Sequence, residues 1–406
     1  MNKGAYSFLH SIAKSSLFSV LASICSFLTV VIFSRKLESE DFANYLLFAL
    51  WGSLAVLIID CATEQSIIHY SKQKSKKIEF LWLQLIKLKF GVLFLFVILL
   101  LFIKYIFDIY IPIEFIFFII PGFYLISIFE INKKNNIFSF LIFIEKLAFL
   151  LIGWAICEMN GGLIQVIISY FSLTIISLIL QIWVSSYFSE WHNSKKSGVV
   201  IPYIISYYPV YLILILQTFY GVVSRLIIEN RLGVAAFATA TLSLQIINSI
   251  SIFQTQVDRH IRPELILSIL TRDALILSRI LKNYLIFYVF PLIILSILLI
   301  FFSEDIIRTL YGEKWHDAAL ALKVLSLLLI TIPLMRLSDM ISIPLSIKKV
   351  NLLINSLAAL LLCIALSALP ADYGLVYYLI AIVMIQVLQI ICSGSIIIVI
   401  LKRFFH

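Results

Sequence analysis

Long apolar runs alternate with short polar breaks along the whole chain, and that pattern predicts about twelve membrane-crossing helices. The runs lie at about 12–34, 42–69, 80–106, 112–132, 137–158, 162–188, 201–227, 233–257, 281–303, 317–346, 351–370 and 373–401. The second and tenth are long and carry charges. The first run, Leu17 to Phe33, follows Lys3 and Lys14 without a small-residue cleavage pattern, so it reads as a retained span and not a removed leader.

The polar breaks carry a second pattern. One alternate set holds Lys3, Lys14, the four lysines of the Lys72–Lys77 loop, Lys133, Lys134, Lys195, Lys196, Arg259, Arg262, Arg272, Arg279, Lys282, Lys348, Lys349, Lys402 and Arg403, 19 in all. The other set holds only Arg35, Lys36, Lys104, Arg225, Arg231, Arg308 and Lys314. Basic loops stay in the cytoplasm, so the first set and both termini are expected inside. A weak repeat also emerges. Lys36-Leu37 followed by Phe42-Ala43 recurs as Arg231-Leu232 followed by Phe237-Ala238, and Lys133-Lys134 after span four matches Lys348-Lys349 after span ten. Two lobes of six spans are expected, 1–200 and 201–406, related by an axis along the membrane normal as in many transporters.

Composition sharpens this reading. With 62% hydrophobic and 13% charged residues and a mean hydropathy of +1.07, an ordinary soluble domain is excluded. The net charge of +9 follows from loop topology, so no nucleic-acid partner is expected. Cys25, Cys61, Cys157, Cys363 and Cys392 have no metal or disulfide spacing, and the six histidines are scattered. No Walker loop, GxSxG or HExxH occurs. Neither enzyme chemistry nor a cofactor nor a metal is expected. Any transport work must come from a gradient or from consumption of substrate on the far side.

The informative residues are charges at membrane depth, each costing about 2.5–3.5 kcal/mol at a helix centre unless partnered or hydrated. Arg336 lies about 15 Å into span ten and Lys146 about 13 Å into span five. Both read as substrate-binding candidates in a wet, cationic cavity. The competing reading pairs Arg336 with Asp339, three residues on, and Lys146 with a neighbouring helix. Lys323 and Lys14 lie shallower, where snorkelling competes with substrate contact. Asp60 and Glu64 share a helix face, which suits proton binding, against the alternative that each meets a lysine of the Lys72–Lys77 loop. With Asp339 they are the ion-coupling candidates. Arg225 and Glu229 read as a structural pair, and Glu130 and Glu145 as partners for Lys133, Lys134 or Lys146. Trp51, Trp82, Trp183 and Trp191 read as interfacial anchors. The stretch Val257–Lys282, with Leu265, Ile269, Leu277 and Ile280 at helical spacing, is expected as an amphipathic helix against the inner leaflet.

Four passages resemble a known family. They are Ser34-Arg35-Lys36-Leu37 through Asp41-Phe42-Ala43-Asn44-Tyr45; Arg225-Leu226-Ile227-Ile228 through Leu232-Gly233, with Ala238-Thr239-Ala240; Pro263-Glu264, expected in the loop before span nine; and Leu310-Tyr311-Gly312-Glu313-Lys314-Trp315 with Ala318-Ala319. With the length and span number they are similar to the Wzx-type O-antigen and polysaccharide flippases of the MATE-like multidrug/oligosaccharide-lipid/polysaccharide exporter superfamily. Ala43 stands where many relatives have glycine. The resemblance implies an all-α fold of two six-helix lobes with alternating access, in a bacterial inner membrane. It implies a polyprenyl-diphosphate-linked oligosaccharide as substrate, with membrane lipids and a polymerase and chain-length regulator of the same route as partners. Two other classes stay open: an ion-coupled drug exporter, which should line its cavity with acids such as Asp60 and Glu64, and a membrane polysaccharide polymerase, which typically carries a large external loop.

Overall fold

In the computed structural model of the protein the described residues are 3–60, 89–98, 100, 111–131, 134–187, 208–342, 345 and 348–405. Among them the structure is helical almost throughout, and eight helices are long and apolar enough to cross a membrane. The protein is therefore a multi-pass, all-α membrane protein. The chain divides into two compact units, Met1–Tyr211 and Leu212–His406.

In the first unit α1 (Lys3–Lys36) ends on Arg35 and Lys36, and α2 (Ser39–Asp60) begins with Glu40 and Asp41, each charge opposing the nearby helix dipole. Ala43 lies inside α2, buried, and not in the turn. After α3 (Lys89–Ile98) comes the expected fourth span, and it is not one helix. Two 3₁₀ turns, Ile113–Phe118 and Ile120–Phe123, precede a short α4 (Ile126–Ile131). The physical cause is Pro121-Gly122: proline lacks the N–H and clashes with the preceding turn, and glycine adds backbone freedom. α5 (Asn135–Glu158) packs along α1 and against α6 (Leu163–Ser186). Lys36 and Glu158 pair at 2.9 Å where α1 and α5 end, both half-exposed.

The second unit contains α7 (Tyr208–Leu232), α8 (Val234–Leu270), α9 (Ala274–Tyr284) and α10 (Phe290–Tyr311). It continues with α11 (Ala318–Leu325), α12 (Leu328–Ser342), α13 (Lys348–Ala368) and α14 (Gly374–Phe405). Gly312 ends α10 with φ 90° and ψ 172°, a region that only glycine occupies readily, which explains its place in the Leu310–Trp315 passage.

Three expectations change here. α8 runs unbroken for 37 residues, so Pro263-Glu264 lie within a helix and not in a loop. At about 55 Å that helix exceeds the bilayer core. The amphipathic stretch does not lay its apolar face on lipid: Leu265, Ile269 and Leu277 form a protein core with Met340, Ile341 and Ile397. The periodicity was real, but its partner is α12 and α14. Span ten breaks between α11 and α12, at Ser326 and Leu327, upstream of Pro333, which sits inside α12. The turn is held by Leu329 N–H to Ser326 O at 3.0 Å and by Ser296 Oγ donating to the same carbonyl at 2.9 Å.

Gly52 of α2 sets how closely the broken segment approaches, since a Cβ there would lie 2.2 Å from Phe118 Cβ. We expect Gly52→Val to destabilise the purified protein by about 1–3 kcal/mol, the usual effect of overpacking. Gly91→Ala, at a site with nothing within 4 Å, should leave the unfolding temperature unchanged. Equal melting of both variants would refute the close approach.

Candidate functional site

The broken segment leaves backbone groups without helical partners, and side chains supply them. Gln181 of α6, fully buried, accepts the Leu125 N–H at 3.1 Å and donates to Ser177 Oγ. Lys89 of α3 donates to Gly122 O at 2.8 Å and to Asp60 Oδ1 at 3.2 Å. The lysine side chain is 7% exposed and the aspartate 33%. An unsatisfied backbone group in hydrocarbon costs several kcal/mol, so both contacts stabilise the break.

From the same segment Tyr124 donates its hydroxyl to Glu145 Oε2 at 2.5 Å. Glu145 Oε1 takes Lys146 Nζ at 2.7 Å, with the carboxylate 2% and the lysine 21% exposed. Lys146 also lies 5.3 Å from the Tyr170 ring centre, a cation–π distance, and Tyr170 stacks on Phe118. Beyond Lys146 opens a groove of about 270 Å³ between α1 and α5, lined by Ser19, Ser23, Ser26, Ser139 and the apolar Ala22, Phe138 and Ile142. Ser23 donates to Ser19 O and Ser26 to Ala22 O, so their hydroxyl lone pairs remain as acceptors. Lys146 has three donors and gives one to Glu145. The wall thus offers a tethered cation beside hydroxyl oxygens.

Several sequence expectations are corrected by this geometry. Lys146 pairs with Glu145, one of the carboxylates expected to serve it, and not with a neighbouring helix. Asp60 meets Lys89, which also reaches Gly122 O, and the Lys72–Lys77 loop lies outside the described residues. Glu64 lies outside the described residues, as does the side chain of Lys14. Lys323 pairs with the well-exposed Glu304 at 2.8 Å, so it is no isolated deep cation. Arg225 donates to Gly221 O at 2.8 Å and forms no ion pair with Glu229 among the described residues.

In the second unit Asp339 has a partner on another helix. Asn351 donates to Asp339 Oδ1 at 2.6 Å and to Ser342 Oγ at 3.2 Å. Asn355 donates to Asn351, and Gln389 to Asn355 Oδ1 at 2.9 Å. A line of three amides on α13 and α14 therefore runs, through Asn351, to one carboxylate on α12. Arg336 sits half-buried one turn before it. Lys89, Tyr124, Gln181, Asn351, Asn355 and Gln389 were not singled out in the sequence. A lysine inside the 80–106 run and the Pro121-Gly122 pair were the signals for the first group.

We expect Lys89→Met to lower stability by about 1–3 kcal/mol, because Gly122 O and Asp60 both lose their donor. Adding Asp60→Asn should restore part of the loss, since the carbonyl stays unpaired. Full restoration in the double variant would show that the carbonyl contact contributes nothing.

At the level of sequence the chain matches no protein family and no curated protein. Solved structures do match. Lipid II flippase MurJ in an inward closed conformation aligns with TM-score 0.64 at 15% identity, over 96% of this chain and 90% of that one. A MATE transporter of Vibrio cholerae aligns with TM-score 0.59 at 13% identity over 100% of both chains. An outward-facing multidrug resistance MATE family transporter of the MOP superfamily gives 0.61 at 10% identity, over 97% and 96%. The chain has the MATE-like fold these proteins share.

Proposed function

We propose that this protein is a flippase that carries a polyprenyl-diphosphate-linked oligosaccharide, such as an O-antigen or capsule repeat unit, across the bacterial inner membrane by alternating access. The observation that carries the reading is Lys146 beside Ser19, Ser23 and Ser26 in one groove of about 270 Å³. A diphosphate-linked sugar presents anionic oxygens and hydroxyl donors, which complement a cation and hydroxyl acceptors respectively. The MATE-like fold supports a carrier mechanism at the coarser level of flippase or exporter. Cation export is the second reading. It is less well supported, since Asp60 is engaged by Lys89 and the described residues that line the groove include no carboxylate. In this reading the product is handed to a polymerase and its chain-length regulator.

The test is translocation in vesicles holding the full-length protein and a polyprenyl-diphosphate oligosaccharide, followed by loss of sugar accessibility to an added glycan-oxidising reagent. Lys146→Gln should slow translocation about tenfold or more with normal protein level, the loss of a charge-assisted contact. Lys146→Arg should retain part of the rate. Transport of a cationic dye with no movement of the lipid-linked sugar would sink the proposal in favour of an exporter.

Arg336 gives a separate expectation. As a diphosphate contact, its replacement in Arg336→Ala should abolish transport at normal abundance, and adding Asp339→Ala should not rescue it. Rescue would assign Arg336 to charge balance within α12.

A further inference from the structure

α9 has two faces with different surroundings. Leu277 and Tyr284 are buried; Leu277 joins the core with Leu265 and Met340, and Tyr284 donates to Pro333 O at 3.2 Å. On the outer side Arg279 and Lys282 are exposed and form no ion pair among the described residues. Apolar side chains flank them: Leu275 is 82% and Ile276 46% exposed.

The helix then runs on without a break, through a π-helical turn at Leu285–Val289, into α10. There Phe287 is 76% and Phe290 57% exposed, on a stretch long and apolar enough to span a bilayer. Lipid chains are the surroundings such a surface requires. Arg279 and Lys282 precede Phe287 by about 12 and 8 Å along the axis. The headgroup layer is roughly 5–8 Å deep on each side of the hydrocarbon, so with Phe287 at the chain boundary Lys282 falls within it and the long Arg279 side chain, based about one turn further out, reaches back to it. The nearby acid, Asp273, is engaged as the helix cap, its Oδ1 accepting the Ile276 N–H at 2.9 Å.

We propose that the Arg279–Lys282 face of α9 binds the phosphate headgroups of anionic phospholipids whose chains lie against Phe287 and Phe290. The face turned to lipid is thus the basic one, while the buried face of the helix is taken by protein. The ligand is a membrane lipid and not free phosphate, because the same helix carries the lipid-facing Phe287 and Phe290 within about two turns of Lys282. The inference is independent of what the protein transports.

The experiment titrates purified full-length protein in detergent with phosphatidylglycerol, and separately with phosphatidylcholine, and measures retained lipid by native mass spectrometry. Arg279→Gln and Lys282→Gln should each weaken phosphatidylglycerol retention about fivefold, as expected for one basic residue at an anionic surface. The double variant should lose about 25-fold, with phosphatidylcholine retention unchanged. Phe287→Ser should weaken retention without any change of charge. Added salt should weaken binding to the unmodified protein, a check that stands even if the double variant does not fold. Undiminished phosphatidylglycerol retention in the double variant, or insensitivity to salt, overturns the proposal. Displacement of the lipid by equimolar inorganic phosphate overturns the choice of ligand.

Discussion

Backbone polar groups cannot stay unpaired in hydrocarbon, and the first unit is arranged around one place where its helices fail to pair them. Pro121 and Gly122 lie in a short 3₁₀ turn in the middle of an apolar run, where a regular helix is expected. The carbonyl of Gly122 and the amide of Leu125 then need partners from elsewhere, and Lys89 and Gln181 provide them. A lysine brought that deep needs an anion, which explains Asp60 at the end of α2. Tyr124, in the non-helical stretch between the 3₁₀ turn and α4, carries its hydroxyl to Glu145, and Glu145 in turn holds Lys146 at the groove. Removing the break would remove the need for most of these charges.

The second unit solves the same problem more cheaply. Its break, at Ser326 and Leu327, is covered by the Ser296 hydroxyl, and the Pro333 carbonyl by the Tyr284 hydroxyl. Neutral donors suffice there. A half-buried carboxylate, Asp339, is met by the amide of Asn351, behind which Asn355 and Gln389 follow in line. Such a chain holds α12, α13 and α14 together through fixed dipoles.

Much of this fold was legible in the sequence because length and hydropathy govern what can cross a bilayer. The long apolar helices near 17–36, 135–158, 163–186 and 371–401 follow their runs closely. The break in the fourth span was missed because hydropathy averages over a proline that changes backbone geometry without changing polarity. The destination of the Leu265–Leu277 face was misread for a related reason: periodicity marks an apolar stripe but cannot say whether lipid or protein covers it. Lys146 was legible as a deep charge at the right helix position. Glu145 was legible as one of two candidate acids but not as the single partner, because adjacent residues on a helix diverge by about 100° and only the long side chains of Glu145 and Lys146 close that gap. Lys89 escaped notice since its role depends on a carbonyl that a regular helix would have satisfied.

The electrostatics of the groove bear on what a carrier of an anionic headgroup needs. A bare buried lysine would be expensive to hold and would bind a diphosphate tightly enough to oppose release. Lys146 is instead neutralised in advance by Glu145, whose other oxygen is occupied by Tyr124. An arriving anion then gains only the remaining donors of the ammonium and the adjacent hydroxyl wall, and its departure leaves no unpaired charge behind. Moderate, reversible affinity suits a site that must both load and discharge in each cycle, since a ligand shifts a conformational equilibrium only by the difference in its affinity for the two states. Because Tyr124 and Gly122 belong to one irregular segment, a movement of that segment would loosen Glu145 and alter the charge offered to the groove. On the proposed reading this couples the shape of the broken segment directly to the affinity of Lys146 for its ligand.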